Sequence, residues 1–283
     1  MFFLKVLARL PLSVLYLFAD VLFVVSFYLV KYRRKMVMKN LRNSFPEKSE
    51  KEIREIEKRF YHNLCDYLVE TLKLLTISKK ELMRRMKYIN PEVMQPYKDK
   101  GQPLLYLASH QFNWEWIISV ANLWLPIPVD YVYQPQRSEV VNRFSLLTRG
   151  RFGSYAIKRA EVVREIIKRK DIVRGISIVA DQFPGHGNDK RYWMEFLHQD
   201  TAFFEAVNNL ATMMQYPVFY AKVKKVKRGF YEMEFVKIGD PPFEKGSVTV
   251  IENYVKETEE VVKNDPAGWL WSHNRWKKSR NDP

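Results

Sequence analysis

The sequence predicts an α/β fold, a central sheet flanked by helices, preceded by one apolar N-terminal helix. Three observations carry this. From residue 101 onward short apolar runs alternate with helical stretches, the pattern of strands joined by crossover helices. Residues 10–30 form an apolar run with a single charge, Asp20. Between these regions Ile53, Ile56, Phe60, Leu64, Leu68, Leu72 and Leu75 recur at intervals of three and four, which marks a long amphipathic helix. The expected division is a membrane anchor at 1–31, a basic helical collar at 32–100 and the α/β domain at 101–283, with 32–283 forming one structural unit.

Taken in order, residues 10–30 match the ~20 residues that cross a bilayer. The run is long for a cleavable signal peptide and no small-residue cleavage site follows it. Lys31, Arg33, Arg34 and Lys35 come directly after it, against Lys5 and Arg9 before it. By the positive-inside rule the bulk of the chain then faces the cytoplasm. Asp20 is the misfit, since a carboxylate at the centre of a span costs ~3 kcal/mol, and it favours a segment that tilts or lies in the interface. A basic helix over 32–45 ends before Pro46. Ser49 and Glu52 form a capping box for the amphipathic helix, whose exposed face holds Lys51, Arg54, Lys58, Arg59 and a solvated His62. Strands are expected at 103–108, 127–133, 174–180, 216–223 and 231–238. The expected helices are 114–124, 138–149, 160–169, 202–215 and 248–263, with Thr201 capping the fourth.

Composition narrows the function classes. The 283 residues are 47% hydrophobic and 14% aromatic, which excludes disorder. The net charge of +15 points to an anionic partner: nucleic acid, an acidic membrane surface, or an acidic substrate or carrier protein. No helix-turn-helix, zinc-finger or RNP pattern supports nucleic acid. The single cysteine, Cys65, forbids an intramolecular disulfide and lies in an apolar helical pattern, so it reads as core. His186 and Asp189 are two metal-ligand types without a third, so neither a metal nor a cofactor is expected.

The stretch 103–116, Pro-Leu-Leu-Tyr-Leu-Ala-Ser-His-Gln-Phe-Asn-Trp-Glu-Trp, carries the chemistry. An apolar run ends in Ser109-His110-Gln111, and Asn113 is placed to cap the helix beginning at Trp114. A histidine at the carboxyl end of a strand sits where open α/β sheets hold ligands. His110 and Glu115 are five residues apart, roughly 140° on one helix. With His110 in the loop and Glu115 in the first helical turn, the two are expected to pair. The carboxylate would fix the imidazole tautomer and leave the other nitrogen as a base. A surface histidine beside a helix-start glutamate is the bland alternative.

Ser109-His110-Gln111-Phe112-Asn113-Trp114-Glu115 resembles the His-x4-Asp/Glu motif of glycerolipid acyltransferases, and its Asn-Trp-Glu is most like the bacterial lipid A biosynthesis (lauroyl/myristoyl-type) acyltransferases. Asn40-Leu41-Arg42-Asn43-Ser44-Phe45-Pro46 resembles that family's post-anchor segment. Trp269-Leu270-Trp271-Ser272-His273-Asn274-Arg275-Trp276 resembles its C-terminal signature. The tryptophans there suit a membrane interface or domain packing, and His273 is a rival base that lacks a nearby carboxylate. The blocks run in order over nearly the whole chain. The resemblance implies a single glycerolipid-acyltransferase-like domain with a central mixed sheet.

It also implies an enzyme at the inner membrane, its catalytic domain on the cytoplasmic face. That enzyme moves a fatty acyl group from an acyl carrier protein thioester to a hydroxyl of a lipid A precursor. His110 would be the general base and Glu115 its orienting partner, with Asn113 near the oxyanion. Arg149, and next Arg151, would hold a phosphate, and Asp181 and Gln182 would line the same cleft. Phe203-Phe204-Glu205 departs from the Gly and Pro found near the family's third block, which leaves pocket geometry open. Other readings are a lysophospholipid or aminolipid acyltransferase, and a non-catalytic membrane-binding protein of the same fold.

Overall fold

The computed structural model of the chain describes residues 2–185 and 189–280. His186 therefore lies outside the described residues. The chain begins with α1 (Phe2–Ala8) and, after Pro11, α2 (Leu12–Val24), which one π-helical turn, Val25–Leu29, extends. Residues Leu12–Leu29 form one apolar helix long enough to be a candidate membrane anchor. Lys31 and Arg33, both with left-handed φ, turn the chain into α3 (Arg34–Ser44). The helix α4 (Glu50–Lys73) opens with the expected capping box between Ser49 and Glu52.

α2 lies antiparallel along α4. Tyr16 donates to Glu70 (2.7 Å), Ser26 meets Cys65 (3.6 Å), and Lys73 donates back to the carbonyls of Ala8 and Leu10 (2.9 and 2.7 Å). His62 is not solvated: its ring stacks on Phe23 at 3.5 Å, because Phe23 falls on the α2 stripe that faces α4. The misfit Asp20 has a partner. Arg228 donates to it (2.6 Å) and to the buried Asp66 (2.7 and 2.9 Å), tying α2, α4 and a β-hairpin together.

The sheet elements follow α5 (Lys79–Arg85). They are β1 (Met86–Tyr88), then α6 (Gln95–Asp99), β2 (Leu104–Ala108), α7 (Trp114–Trp124), β3 (Val129–Tyr133), α8 (Glu139–Arg149), β4 (Ala156–Lys158), α9 (Val162–Lys168) and β5 (Gly175–Val179). The hairpin β6 (Arg191–Phe196) and β7 (Gln199–Phe204) precedes α10 (Glu205–Met214), β8 (Val218–Lys227), β9 (Phe230–Gly239) and α11 (Thr249–Asn264). Seven strands form a mixed sheet in the order β1-β9-β8-β2-β5-β3-β4. Every pairing is parallel except the β8–β9 hairpin. The central strand β2 is buried at all five positions, as its unbroken apolar run requires. One buried apolar cluster extends from Leu12 on α2 through the sheet to Trp271 near the carboxyl end.

The five expected strands and α7 stand where the patterns put them. The region 202–215 does not. Its first residues pair in β7, and the helix starts only at Glu205. The cause is a two-residue turn at Leu197-His198, both with positive φ, the geometry that matches hairpin twist. Thr201 thus sits in a strand and caps nothing; its hydroxyl accepts from the Trp276 indole (2.8 Å). Trp269 and Trp271 are buried, so these two of the carboxyl-terminal indoles pack the domain rather than face lipid.

Candidate active site

Two neighbouring parallel strands place the candidate catalytic pair. Ala108 of β2 lies opposite Val179 of β5, so two residues further on His110 emerges opposite Asp181. The Asp181 carboxylate accepts twice from the same residue: Oδ1 from the His110 ring Nδ1 (2.6 Å) and Oδ2 from the His110 backbone N–H (2.9 Å). Oδ2 also accepts from the Trp269 indole (2.7 Å). Asp181 is only 2% exposed. Burial alone would raise its pKa, but the His110 ring and these three donors outweigh burial and hold the carboxyl below its ordinary value.

With Nδ1–H given to Asp181, the ring's Nε2 is left as an acceptor. The Gln182 amide nitrogen stands 3.3 Å from it. The edge of the His110 ring also meets Trp114, 5.1 Å between centroids. The backbone is fixed to match: Tyr254 donates to the Ala108 carbonyl (3.0 Å), and the Ser109 hydroxyl meets Tyr220 (2.9 Å). Phe112 takes a left-handed φ of 44° and donates its N–H to the Gly268 carbonyl (2.8 Å). Its ring lies so close over Gly268 that an added Cβ would stand 2.4 Å from it.

Glu115 does not pair with His110. Arg149 takes both its oxygens, Nε to Oε2 at 2.7 Å and Nη2 to Oε1 at 2.6 Å, and the Trp114 indole adds a third donor (3.1 Å). The reason is directional. Asn113 caps α7 through the Trp116 N–H (3.0 Å), so Glu115 projects from the first turn towards the end of α8, where Arg149 lies. The carboxylate on His110 comes instead from the adjacent strand. Arg149 is thus engaged by a bidentate partner and held in its charged form: burial opposes the charge, and Glu115 more than offsets that.

The other expected ligand residues also have protein partners. Arg151 donates to the Leu74 and Ile77 carbonyls (2.6 Å each), closing the carboxyl end of α4. Asn113 is fully buried and donates to Glu70 (2.7 Å). Among the expected site residues, then, the structure gathers His110, Asp181 and Gln182, and sets Glu115 with Arg149 beside them through Trp114. His273 lies close by; burial, opposed by the pull of Asp181, depresses its ring to about 4. Its Nδ1 has no hydrogen-bond partner among the described residues.

Two clefts flank this centre. One, about 960 Å³, runs between the ends of β3 and β5 and the helices α9 and α10; Gln182, Ile178, Val207 and Met213 line it, with Arg159 as a basic member. The second, about 550 Å³, lies between α2, α4 and the carboxyl-terminal loop, with Leu22, Val25, Leu68, Trp114 and His273 in its walls. Both are mainly apolar. Such spaces suit alkyl chains. No group of three or more metal-ligating side chains occurs among the described residues.

The model of the family described as bacterial lipid A biosynthesis acyltransferase matches residues 1–278. The chain belongs to that family. It is an acyltransferase, and the family implies a lipid acceptor. A "Lipid A biosynthesis acyltransferase" of Haemophilus influenzae (strain ATCC 51907 / DSM 11121 / KW20 / Rd) is 22% identical over 250 residues, covering 85% of this chain and 74% of that protein. The contacts of Trp269 and Trp114 with the His110–Asp181 pair are not signalled by any local pattern; Trp269 reaches Asp181 from the far end of the chain.

Proposed function

We propose that this acyltransferase moves a fatty acyl group from a thioester donor, an acyl carrier protein, to a hydroxyl of a lipid A precursor, with His110 as general base. The observation that carries this is the His110–Asp181 pair at the carboxyl ends of adjacent parallel strands, its Nε2 beside Gln182, which lines an apolar cleft. The acceptor hydroxyl attacks the thioester carbonyl as Nε2 takes its proton. Asp181 stabilises the imidazolium. The tetrahedral intermediate collapses, the C–S bond breaks, and the imidazolium returns the proton to the thiolate, giving ester and free thiol. The amino end of α7, just beyond His110, supplies positive dipole to the oxyanion. In this scheme Asp181 takes the orienting role that the sequence spacing suggests for Glu115. Glu115 and Arg149 form the rigid support of the Trp114 wall, and a phosphate at Arg149 would have to displace Glu115.

The +15 charge suits an acidic carrier protein and the anionic face of the inner membrane, on its cytoplasmic side. The test is to express wild type and His110→Ala in a Gram-negative host lacking its late acyltransferases and take mass spectra of lipid A. A species heavier by one acyl group, with the wild type alone, is expected. An unchanged spectrum with both proteins folded and membrane-bound would refute lipid A as the acceptor.

A further inference from the structure

Beyond the exposed Ser13 in its first turn, the outward side of α2 and its extension is apolar: Leu17, Phe18, Val21, Leu22, Leu29 and Val30 are between 42% and 71% exposed. The inward side is bound along its length. From Ala8 to Tyr32 the segment is joined in antiparallel register to α4, by Lys73 on the Ala8 and Leu10 carbonyls, Tyr16 on Glu70, Phe23 on His62, and Tyr61 on the Tyr32 carbonyl. Midway, Asp20 is held by Arg228, which also holds Asp66.

A helix crossing a bilayer on its own has its whole circumference in hydrocarbon, and one that keeps a protein face takes its packing partner in with it. Here that would require one of two things. Either α2 leaves α4, stripping Asp20 of Arg228 and the buried Glu70 of its Tyr16 donor, or α4 enters the bilayer with it, carrying Lys51, Arg54, Lys58 and Arg59. Unpaired charges at that depth are costly. Lying flat satisfies both sides at once: apolar residues towards acyl chains, polar pairs towards the protein. Exposed cations ring the apolar strip, with Lys5 and Arg9 at one end, Lys31, Arg33 and Lys35 at the other, and Lys227 on the β8–β9 hairpin. This is the charge arrangement of a helix resting among anionic headgroups.

We infer that the chain sits on one leaflet with α2 in the plane of the membrane rather than across it. The second cleft, walled by Leu22, Val25 and Val30 of this segment and by Trp114 and His273, then opens sideways into the leaflet, and a lipid acyl chain reaches the catalytic centre without leaving hydrocarbon. The inference rests on the membrane association proposed above, but its test reads topology and needs no acyl transfer.

The test uses the full chain in sealed membrane vesicles of known orientation. Lys5→Cys and Lys51→Cys, at exposed positions before and after the apolar helix, are treated with a membrane-impermeant maleimide; the buried Cys65 gives the background. Modification of both from the same side is expected, as is modification of Leu22→Cys by a membrane-soluble maleimide and not by the impermeant one. Modification of Lys5→Cys and Lys51→Cys from opposite sides would overturn the inference. So would a wild-type chain that stays in solution with vesicles containing phosphatidylglycerol, or dimers cross-linked through Leu17→Cys, which would mean that a second copy covers the face.

Discussion

Asp181→Asn separates the geometry from the charge of the candidate catalytic pair. In the wild type, Oδ2 accepts from the His110 backbone and from Trp269, while Oδ1 accepts from the His110 ring. An asparagine whose oxygen takes the Oδ2 place keeps the first two bonds, so the loop and Trp269 stay in position. Its NH2 then faces Nδ1 and donates to it, which forces the ring's proton onto Nε2, the nitrogen that must accept. General-base assistance contributes about 100- to 10,000-fold, so turnover should fall by about 1,000-fold, or ~4 kcal/mol of transition-state stabilisation. Stability should drop by only ~1–3 kcal/mol, the loss of one charge-assisted bond. The assay is steady-state transfer from an acyl thioester, read as kcat and KM over pH, alongside thermal unfolding. Any residual rate should lose its dependence on a basic imidazole. A variant that turns over within about threefold of wild type, with the same pH profile, would refute the claim that Asp181 sets the tautomer of His110.

Further predictions concern groups buried around this pair. Glu115→Gln leaves the Arg149 guanidinium without its counter-charge and should destabilise the chain by ~3–5 kcal/mol; combining Glu115→Gln with Arg149→Met should recover part of that, measured by denaturant unfolding. Glu70 is fully buried among Tyr16, Asn113 and Tyr231, and burial raises its carboxyl above the ordinary value. A raised acid contributes stability fully below its unfolded value, and that contribution is lost as pH rises through the folded value. Glu70→Gln should therefore remove a decline in stability on the alkaline side of pH 4.5, and an identical slope in variant and wild type would contradict this. His273 is depressed to about 4, so the stability linked to it is present above its unfolded value of ~6.5 and lost as pH falls towards 4. His273→Asn should flatten the wild-type slope in that window.

The parts of the fold that declare themselves locally were legible in the sequence. The unbroken apolar run of β2 and the Asn113 cap delimit β2 and α7 to within a residue, and the Ser49 capping box fixes the start of α4. The three-residue strands β1 and β4 were not legible, because a period of two needs more residues than they have. The β6–β7 hairpin was hidden for another reason: Leu197 and His198 adopt left-handed φ without the Asn or Gly that usually announces it. At the candidate site, the motif resemblance singled out His110, Asp181 and Gln182, which the structure places together, but the partner of His110 was not legible. Spacing within the chain favoured Glu115, five residues on. The pairing that exists depends on the register of β2 against β5, some seventy residues apart, which single-sequence periodicity does not contain.

The central claim is that the His110 imidazole takes the acceptor's proton. It is tested most directly with purified wild type and His110→Gln in vesicles, using an acyl carrier protein thioester as donor and a lipid A precursor as acceptor, following thiol release and ester formation together. The account predicts equal folding, acceptor-dependent thiol release in the wild type, and a rate ~1,000-fold lower in His110→Gln. Transfer by His110→Gln at the wild-type rate would contradict it.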